Sequence, residues 1–311
     1  MKCTRCRDRA EIALRAHNAS FCRTCFVFWF ERRVLRTIEA EEMFSRQERV
    51  LVAVSGGKDS LALWKILADA GYRTVGYHLA LGIGNYSEKS LAQCQAFAQT
   101  AQLPLEVEAL ADVDLAVPDM IQATRRPACA ACGTAKRHYF DKAALRYDCQ
   151  VLATGHNLDD EAARLLGNVL HWQMDHLVRQ KPVSEARHPK FVRKVKPLYL
   201  ASELETAAYA FFSKIPYVVQ ECPNARGATQ ILHKRLLDQL EHESPGSKTA
   251  FVGEFLRRAQ PLLPEAIATQ SETCCTNCGM PSIGQLCSFC AMTSEIARKR
   301  AAKRIQETNP E

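Results

Sequence analysis

The middle of this chain alternates between two periods. Apolar runs rich in β-branched residues, "RVLVAVSGG" from Arg49, "RTVGYHLAL" from Arg73, "PLEVEAL" from Pro104 and "CQVLATGHN" from Cys149, take turns with longer runs of helical spacing. The helical runs are "DSLALWKILADAGY", ending near Gly71, "SEKSLAQCQAFAQTAQL", "TAKRHYFDKAALRYD" and "LDDEAARLLGNVL". Such alternation builds right-handed crossover units, so a doubly wound α/β fold on a parallel sheet is predicted. Ligands of such sheets sit at the carboxyl ends of the strands.

The first of these junctions is "LVAVSGGKDSLALW", where Ser-Gly-Gly-Lys-Asp-Ser joins a strand to a helix. Backbone N–H groups and the helix dipole at such a junction receive phosphate. Gly56 and Gly57 let the main chain approach closely, Lys58 adds charge, and Ser55 and Ser60 offer hydroxyls. Neither the Walker spacing nor Gly-x-Gly-x-x-Gly is present, which disfavours an ordinary P-loop GTPase or a dehydrogenase.

Cysteine usage is the second constraint. Fourteen cysteines occur in the 311 residues, most of them in Cys-x-x-Cys pairs, and no run approaches the length of a membrane span. With no h-region at "MKCTRCRDRA", the pattern reads as metal binding in a reducing, cytoplasmic setting. Cys3, Cys6, Cys22 and Cys25 form one tetrad and Cys275, Cys278, Cys287 and Cys290 another, each suited to a structural Zn²⁺. Cys275 is preferred to Cys274 because it alone gives Cys-x-x-Cys with Cys278. Cys129 and Cys132 in "PACAACGTAKRHYF" have no second knuckle nearby, and Cys222 in "QECPNARG" is the next unassigned cysteine in a loop context. Three thiolates suit a 4Fe–4S cluster with one iron left open, since structural zinc takes four protein ligands. A redox pair at Cys129/Cys132 carrying persulfide, or Cys222 as a lone nucleophile, are the alternatives. Cys94 and Cys149 read as buried thiols.

Hydrophobic residues at 47% and charged residues at 24% are those of an ordinary globular chain, and a net charge of +7 is compatible with a polyanionic partner. Three regions are expected: residues 1–46, a zinc module with the helix "FVFWFERRVLRTIEAEEMFS"; 47–245, the nucleotide-binding α/β domain; and 246–311, a linker, the second zinc module and a basic tail. Within them "RQKPVSEARHPKFVRKVKPLYL" reads as an irregular surface loop, "HESPGSKTA" as a linker, and "IARKRAAKRIQETNPE" as a mobile tail.

The series "SGGKDSLALW", "LGIGNYS", "CAACGTAKR", "ATGHNLDDEA" and "ECPNARG", with a cysteine tetrad at each end, resembles the tRNA 2-thiouridine synthetases acting on position 54 of the T-loop, members of the ATP-pyrophosphatase superfamily. The resemblance spans nearly the whole chain. It implies ATP on Ala53, Ser55, Gly56, Gly57, Lys58, Asp59 and Ser60, adenine beside His78, Leu79 and Ala80, and Gly155 and Lys136 near the nucleotide. It also implies the cluster on Cys129, Cys132 and Cys222, with Asp59, Lys136 and Asp160 at the reacting centre. Read without the motif context, Lys136 is a solvated helix lysine and Asp159, Asp160 and Glu161 an acidic first turn. Some members of the family carry histidine where this chain has Cys22.

The chemistry so implied is adenylation of a uridine C2 oxygen, assisted by Mg²⁺, followed by its replacement with sulfur. In the family, sulfur comes from a ubiquitin-like carrier ending in a thiocarboxylate, so tRNA and that carrier are the expected partners, and a homodimer the expected assembly. The rivals are the same thiolation at wobble uridine 34, another thiolase or pyrophosphatase of this superfamily, and a zinc-ribbon RNA-binding protein with a degenerate nucleotide site.

Overall fold

The computed structural model describes residues 1–124, 126–225, 229–264 and 273–308, with side chains through residue 302. A short antiparallel hairpin, β1 (Ile12–Leu14) and β2 (Ala19–Phe21), runs into helix α1 (Arg23–Ala40), which buries Phe26, Phe30, Val34 and Ile38 at helical spacing. Then come β3 (Arg49–Ala53), α2 (Lys58–Asp69), β4 (Arg73–Ala80), α3 (Gly84–Ala101), β5 (Leu105–Ala109), α4 (Val117–Thr124), α5 (Ala128–Arg146), β6 (Val151–Thr154) and α6 (Leu158–Leu170). Helix α7 (Met174–Arg179), β7 (Val183–Ser184), β8 (Arg193–Val195), α8 (Glu203–Phe212), α9 (Thr229–Glu243) and α10 (Ser247–Glu254) follow. A second small hairpin, β9 (Thr273–Cys274) and β10 (Pro281–Ser282), leads into α11 (Ser288–Thr308).

Six strands form one sheet in the order β5-β4-β3-β6-β8-β7, parallel except for β7 at the edge. Both faces are covered, so each strand divides its residues by period two. Val50, Val52, Val151 and Ala153 enter a core with α1, α2, α6 and α8, while Leu51, Val75, Tyr77 and Leu152 enter a second core with α4 and α5. From β3 the chain winds outward through β4 and β5, then returns to β6 on the other side. That reversal opens a crevice at the carboxyl ends of β3 and β6.

Three expectations need correction. The stretch read as an irregular loop supplies β7 and β8, because a three-residue strand carries too short a pattern to be seen before it finds β6. The stretch read as a linker is a tight turn between α9 and α10, where Gly246 adopts φ +95° and Lys248 is buried. The tail is helical as far as Thr308, and its inner face carries Met292 and Ile296 into the second core. Residues 309–311 lie outside the described residues.

Candidate active site and metal centres

The turn from β3 to α2 lies at the crevice. Gly56 has φ +76°, and a Cβ there would stand 2.5 Å from the Ser90 carbonyl oxygen of α3, so only glycine fits. Ser60 Oγ accepts from the Ser55 N–H at 3.1 Å and donates to the Gly57 carbonyl at 3.1 Å, bracing the loop from inside. Gly57 starts α2 without a side-chain cap, which leaves first-turn donors facing outward for an anion. Gly155 matters for packing: a Cβ would lie 2.8 Å from the Ser60 nitrogen, so its absence lets the turn after β6 press against the start of α2.

Around this loop the charges alternate. Lys58 Nζ lies 3.2 Å from Asp59 Oδ2 and 2.9 Å from Glu203 Oε1. Burial works against its charge, but Asp59 and Glu203 outweigh that and raise its pKa. Asp59 Oδ1 accepts from Thr206 Oγ1 at 2.5 Å and Asn157 Nδ2 at 3.1 Å, which fixes the carboxylate. Asn157 and Asp160 form a capping box on α6, and Asp160 Oδ1 pairs with Lys234 Nζ at 2.6 Å. Asp159 is buried, bonded to Lys248 Nζ at 2.5 Å and to the Glu203 N–H at 2.7 Å. Asn157, Glu203, Thr206, Lys234 and Lys248 were not singled out from sequence. Only Asn157, ahead of an acidic first turn, carried a local signal, that of an N-cap.

Next to the loop is a cavity of about 60 Å³ whose lining includes Ala53, Ser55, His78, Leu79, Tyr86 and Lys136, with Ala80 ending β4 beside it. Burial lowers the His78 pKa and keeps the ring neutral. Its Nδ1–H donates to the Val54 carbonyl at 2.9 Å, leaving Nε2 as a buried acceptor without a partner. Such an orphaned atom in a pocket at the strand ends fits a hydrogen-bonding ligand.

Lys136 also joins this cavity to the three thiols. Helix α5 begins at Ala128, earlier than the sequence pattern suggested, so Cys129, Cys132 and Lys136 share one helical face. Cys222 packs against the same core as Cys132, and the turn Pro223–Ala225 lies on α5. Burial raises the Cys132 pKa, Lys136 opposes it, and Cys222 and Cys129 add to the rise. Among the described residues, only the two terminal tetrads bring three or more metal-binding atoms all within 4.8 Å, so this trio is set wider than a single-ion site. Cys94 and Cys149 are buried thiols, their pKa values pushed up by burial to about 12 and about 11.

Four sulfurs at 2.3 Å around a tetrahedral zinc stand about 3.8 Å apart. Cys6 and Cys22 Sγ are 3.6 Å apart and Cys278 and Cys287 Sγ 3.7 Å, in tetrads whose ligand atoms all fall within 4.8 Å, so each can hold a tetrahedral ion. The two centres repeat one design. The Cys3 carbonyl accepts from the Arg7 N–H and the Cys275 carbonyl from the Gly279 N–H, and Arg7 and Gly279 have φ +71° and +70°. Cys22 immediately precedes α1, and Cys287 immediately precedes α11. Cys274 is exposed and outside the tetrad, as the spacing indicated.

Residues 29–229 match the PP-loop domain family, and residues 2–27 match the family described as 2-thiouridine synthetase TtuA, N-terminal LIM domain. The chain is 42% identical to tRNA-5-methyluridine(54) 2-sulfurtransferase of Thermus thermophilus, over 98% of this chain and 94% of that one. It is 40% identical to the protein of the same name from Pyrococcus horikoshii, over 93% of each. In fold it is similar to the U34-tRNA thiolase NcsA from Methanococcus maripaludis, solved with its [4Fe-4S] cluster, with a TM-score of 0.77 at 23% identity over 88% of this chain and 92% of that one. From pyrophosphate loop to paired cysteine modules, the chain belongs to the PP-loop family of tRNA 2-thiouridine synthetases.

Proposed function

We propose that this chain is an ATP-dependent tRNA sulfurtransferase, which adenylates the C2 oxygen of uridine or 5-methyluridine 54 and replaces it with sulfur to give 2-thiouridine. The observation that carries the reading is a juxtaposition: the cavity beside the Ser55–Ser60 loop reaches, through Lys136, the helix face bearing Cys129 and Cys132. ATP at one end and sulfur delivery at the other would meet at one base. Position 54 is preferred because the relatives at 42% and 40% identity carry it in their names.

In the first step the C2 oxygen attacks the α-phosphorus and the α–β bridging P–O bond breaks. Lys58 and the N-terminus of α2 take up the charge of the departing pyrophosphate, and Mg²⁺, when bound, would supply further charge neutralisation. Asp59, clamped by Asn157 and Thr206, keeps Lys58 in place, and Asp160 borders the same crevice. His78 Nε2 offers an acceptor at the adenine end. In the second step a sulfur nucleophile adds to C2 and AMP leaves with the original oxygen, a leaving group that the bare carbonyl oxygen is not.

Cys129, Cys132 and Cys222 would hold a 4Fe–4S cluster, which supplies an iron free of protein ligands for presenting sulfur. Their wide setting and number suit a cluster better than zinc. Zn²⁺ would occupy the two tetrads, whose lack of an open position makes them structural. A ubiquitin-like thiocarboxylate carrier as the sulfur source, a homodimer and a cytoplasmic setting complete the proposal; among the described residues no helix is long and apolar enough to cross a membrane.

The test is nucleoside mass spectrometry of tRNA thiolated by anaerobically reconstituted protein with ATP and a sulfide source. Sulfur at position 54, lost in Cys129→Ala, Cys132→Ala and Cys222→Ala together with the cluster absorbance, is expected. Sulfur at position 34 would move the substrate to the wobble base, and full activity of iron-free, zinc-loaded protein would replace the cluster with a persulfide route.

A further inference from the structure

Lys234 lies on α9, outside the span matched by the PP-loop family and outside every motif read from the sequence. Its side chain is nevertheless the second of two cations in a continuous series of charges. Lys234 Nζ stands 2.6 Å from Asp160 Oδ1 and 3.3 Å from Glu203 Oε2, and the other Glu203 oxygen holds Lys58 at 2.9 Å. Lys58 in turn meets Asp59 at 3.2 Å, so three carboxylates and two ammonium groups run unbroken along the edge of the phosphate loop.

From this geometry we propose that Lys234 is a positioning residue for ATP cleavage, fixing Asp160 directly and Lys58 through Glu203. The inference rests on the function proposed above. Asp160 has one oxygen on Lys234 and the other accepting from the Asn157 N–H at 3.3 Å, so Lys234 is the side-chain contact that sets its rotation. Glu203 is shared between two lysines, and removing Lys234 lets its carboxylate follow Lys58 alone. When a triphosphate draws Lys58 toward itself, Lys234 retains Glu203 and keeps that carboxylate from accompanying the lysine onto the phosphates. Burial works against the charge on Lys234, but Asp160 and Glu203 overcome it, so the ammonium is present throughout the working pH range.

The experiment measures tRNA-dependent pyrophosphate release by the full-length, reconstituted enzyme in three forms: wild type, Lys234→Met and Lys234→Arg. Loss of orientation acts on the transition state, so Lys234→Met should lower kcat by about tenfold to a hundredfold and leave the KM for ATP within about threefold. Lys234→Arg, which keeps the charge, should recover most of the lost rate. Thermal melting of each variant shows whether it is folded, and only a folded Lys234→Met protein is compared. An unchanged kcat in Lys234→Met, a rise in KM alone, or an Arg variant as slow as the Met variant would each overturn the inference. Wild-type protein that releases no pyrophosphate with tRNA would strike the proposed function itself.

Discussion

Adjacent glycines in the phosphate loop should respond in opposite ways to one added methyl group. At Gly56 the backbone is left-handed, φ +76°, and a Cβ would be 2.5 Å from the Ser90 carbonyl oxygen, about 0.9 Å short of the 3.4 Å at which ordinary contact begins. That oxygen belongs to the backbone of α3 and cannot rotate away. The left-handed conformation and the overlap together cost roughly 3 kcal/mol, a fall in Tm of roughly 5 °C for a chain of this size. At Gly57 φ is −83°, and the nearest atom to a Cβ is Ser55 Oγ at 3.4 Å, so the methyl group points into open crevice. The gain from a less flexible unfolded chain and the loss of glycine at the helix N-cap nearly cancel, leaving stability within about 1 kcal/mol of wild type. The methyl group would instead occupy space that a phosphate needs. Gly57→Ala should therefore fold normally and bind ATP at least about tenfold more weakly, some 1.4 kcal/mol, whereas Gly56→Ala should lose stability and binding together. Thermal melting and calorimetric titration with ATP separate the two. Equal melting temperatures for the variants would refute the packing argument, and wild-type ATP affinity in Gly57→Ala would show that phosphate does not lie against this turn.

Lys248→Met should destabilise the protein by about 3 kcal/mol in chemical denaturation, because it leaves the buried Asp159 carboxylate without its cation. His138 stacks on Phe289 with ring centroids 4.1 Å apart, and burial, with Lys142 adding, lowers its pKa to about 4. The unfolded chain binds the proton more readily between pH 6.5 and about 4, so this contribution is complete above pH 6.5 and lost as pH falls through that window. His138→Phe should flatten that part of the stability–pH curve measured by denaturation. Elemental analysis of anaerobically purified protein should find two zinc ions per chain, and Cys287→Ser should remove one of them and lower the melting temperature.

Local chemistry carried the readable part of this fold. The runs that became β3, β4, β5 and β6 are long enough to show their period, and the glycines, lysine and serines of the loop are contiguous, so both the sheet and the strand-to-helix turn between β3 and α2 are legible from nearest neighbours in sequence. Paired thiols are local too. What escaped is what depends on distant segments: β8 is defined by its pairing with β6, and Glu203, Lys234 and Lys248 gain meaning only when α8 packs on α2 and α9 and α10 fold back over α6. The start of α5 is hidden in the sequence because a Pro-Ala-Cys stretch looks like a loop, whereas Pro127 caps the helix.

The two cysteine modules, alike in design, are joined to different halves of the molecule. Cys3, Phe21 and Phe26 belong to the core on one face of the sheet, whereas Cys275, Phe289, Cys290 and Met292 close the core on the other, beside Cys132 and Cys222. Since a ribosome releases the amino terminus first, the first module and its face can consolidate while the chain is still growing. The face bearing the three thiols must wait until Cys275 to Ile296 have been made. A nascent or prematurely terminated chain would thus have its loop between β3 and α2 assembled while the side bearing Cys129, Cys132 and Cys222 still lacked its cover.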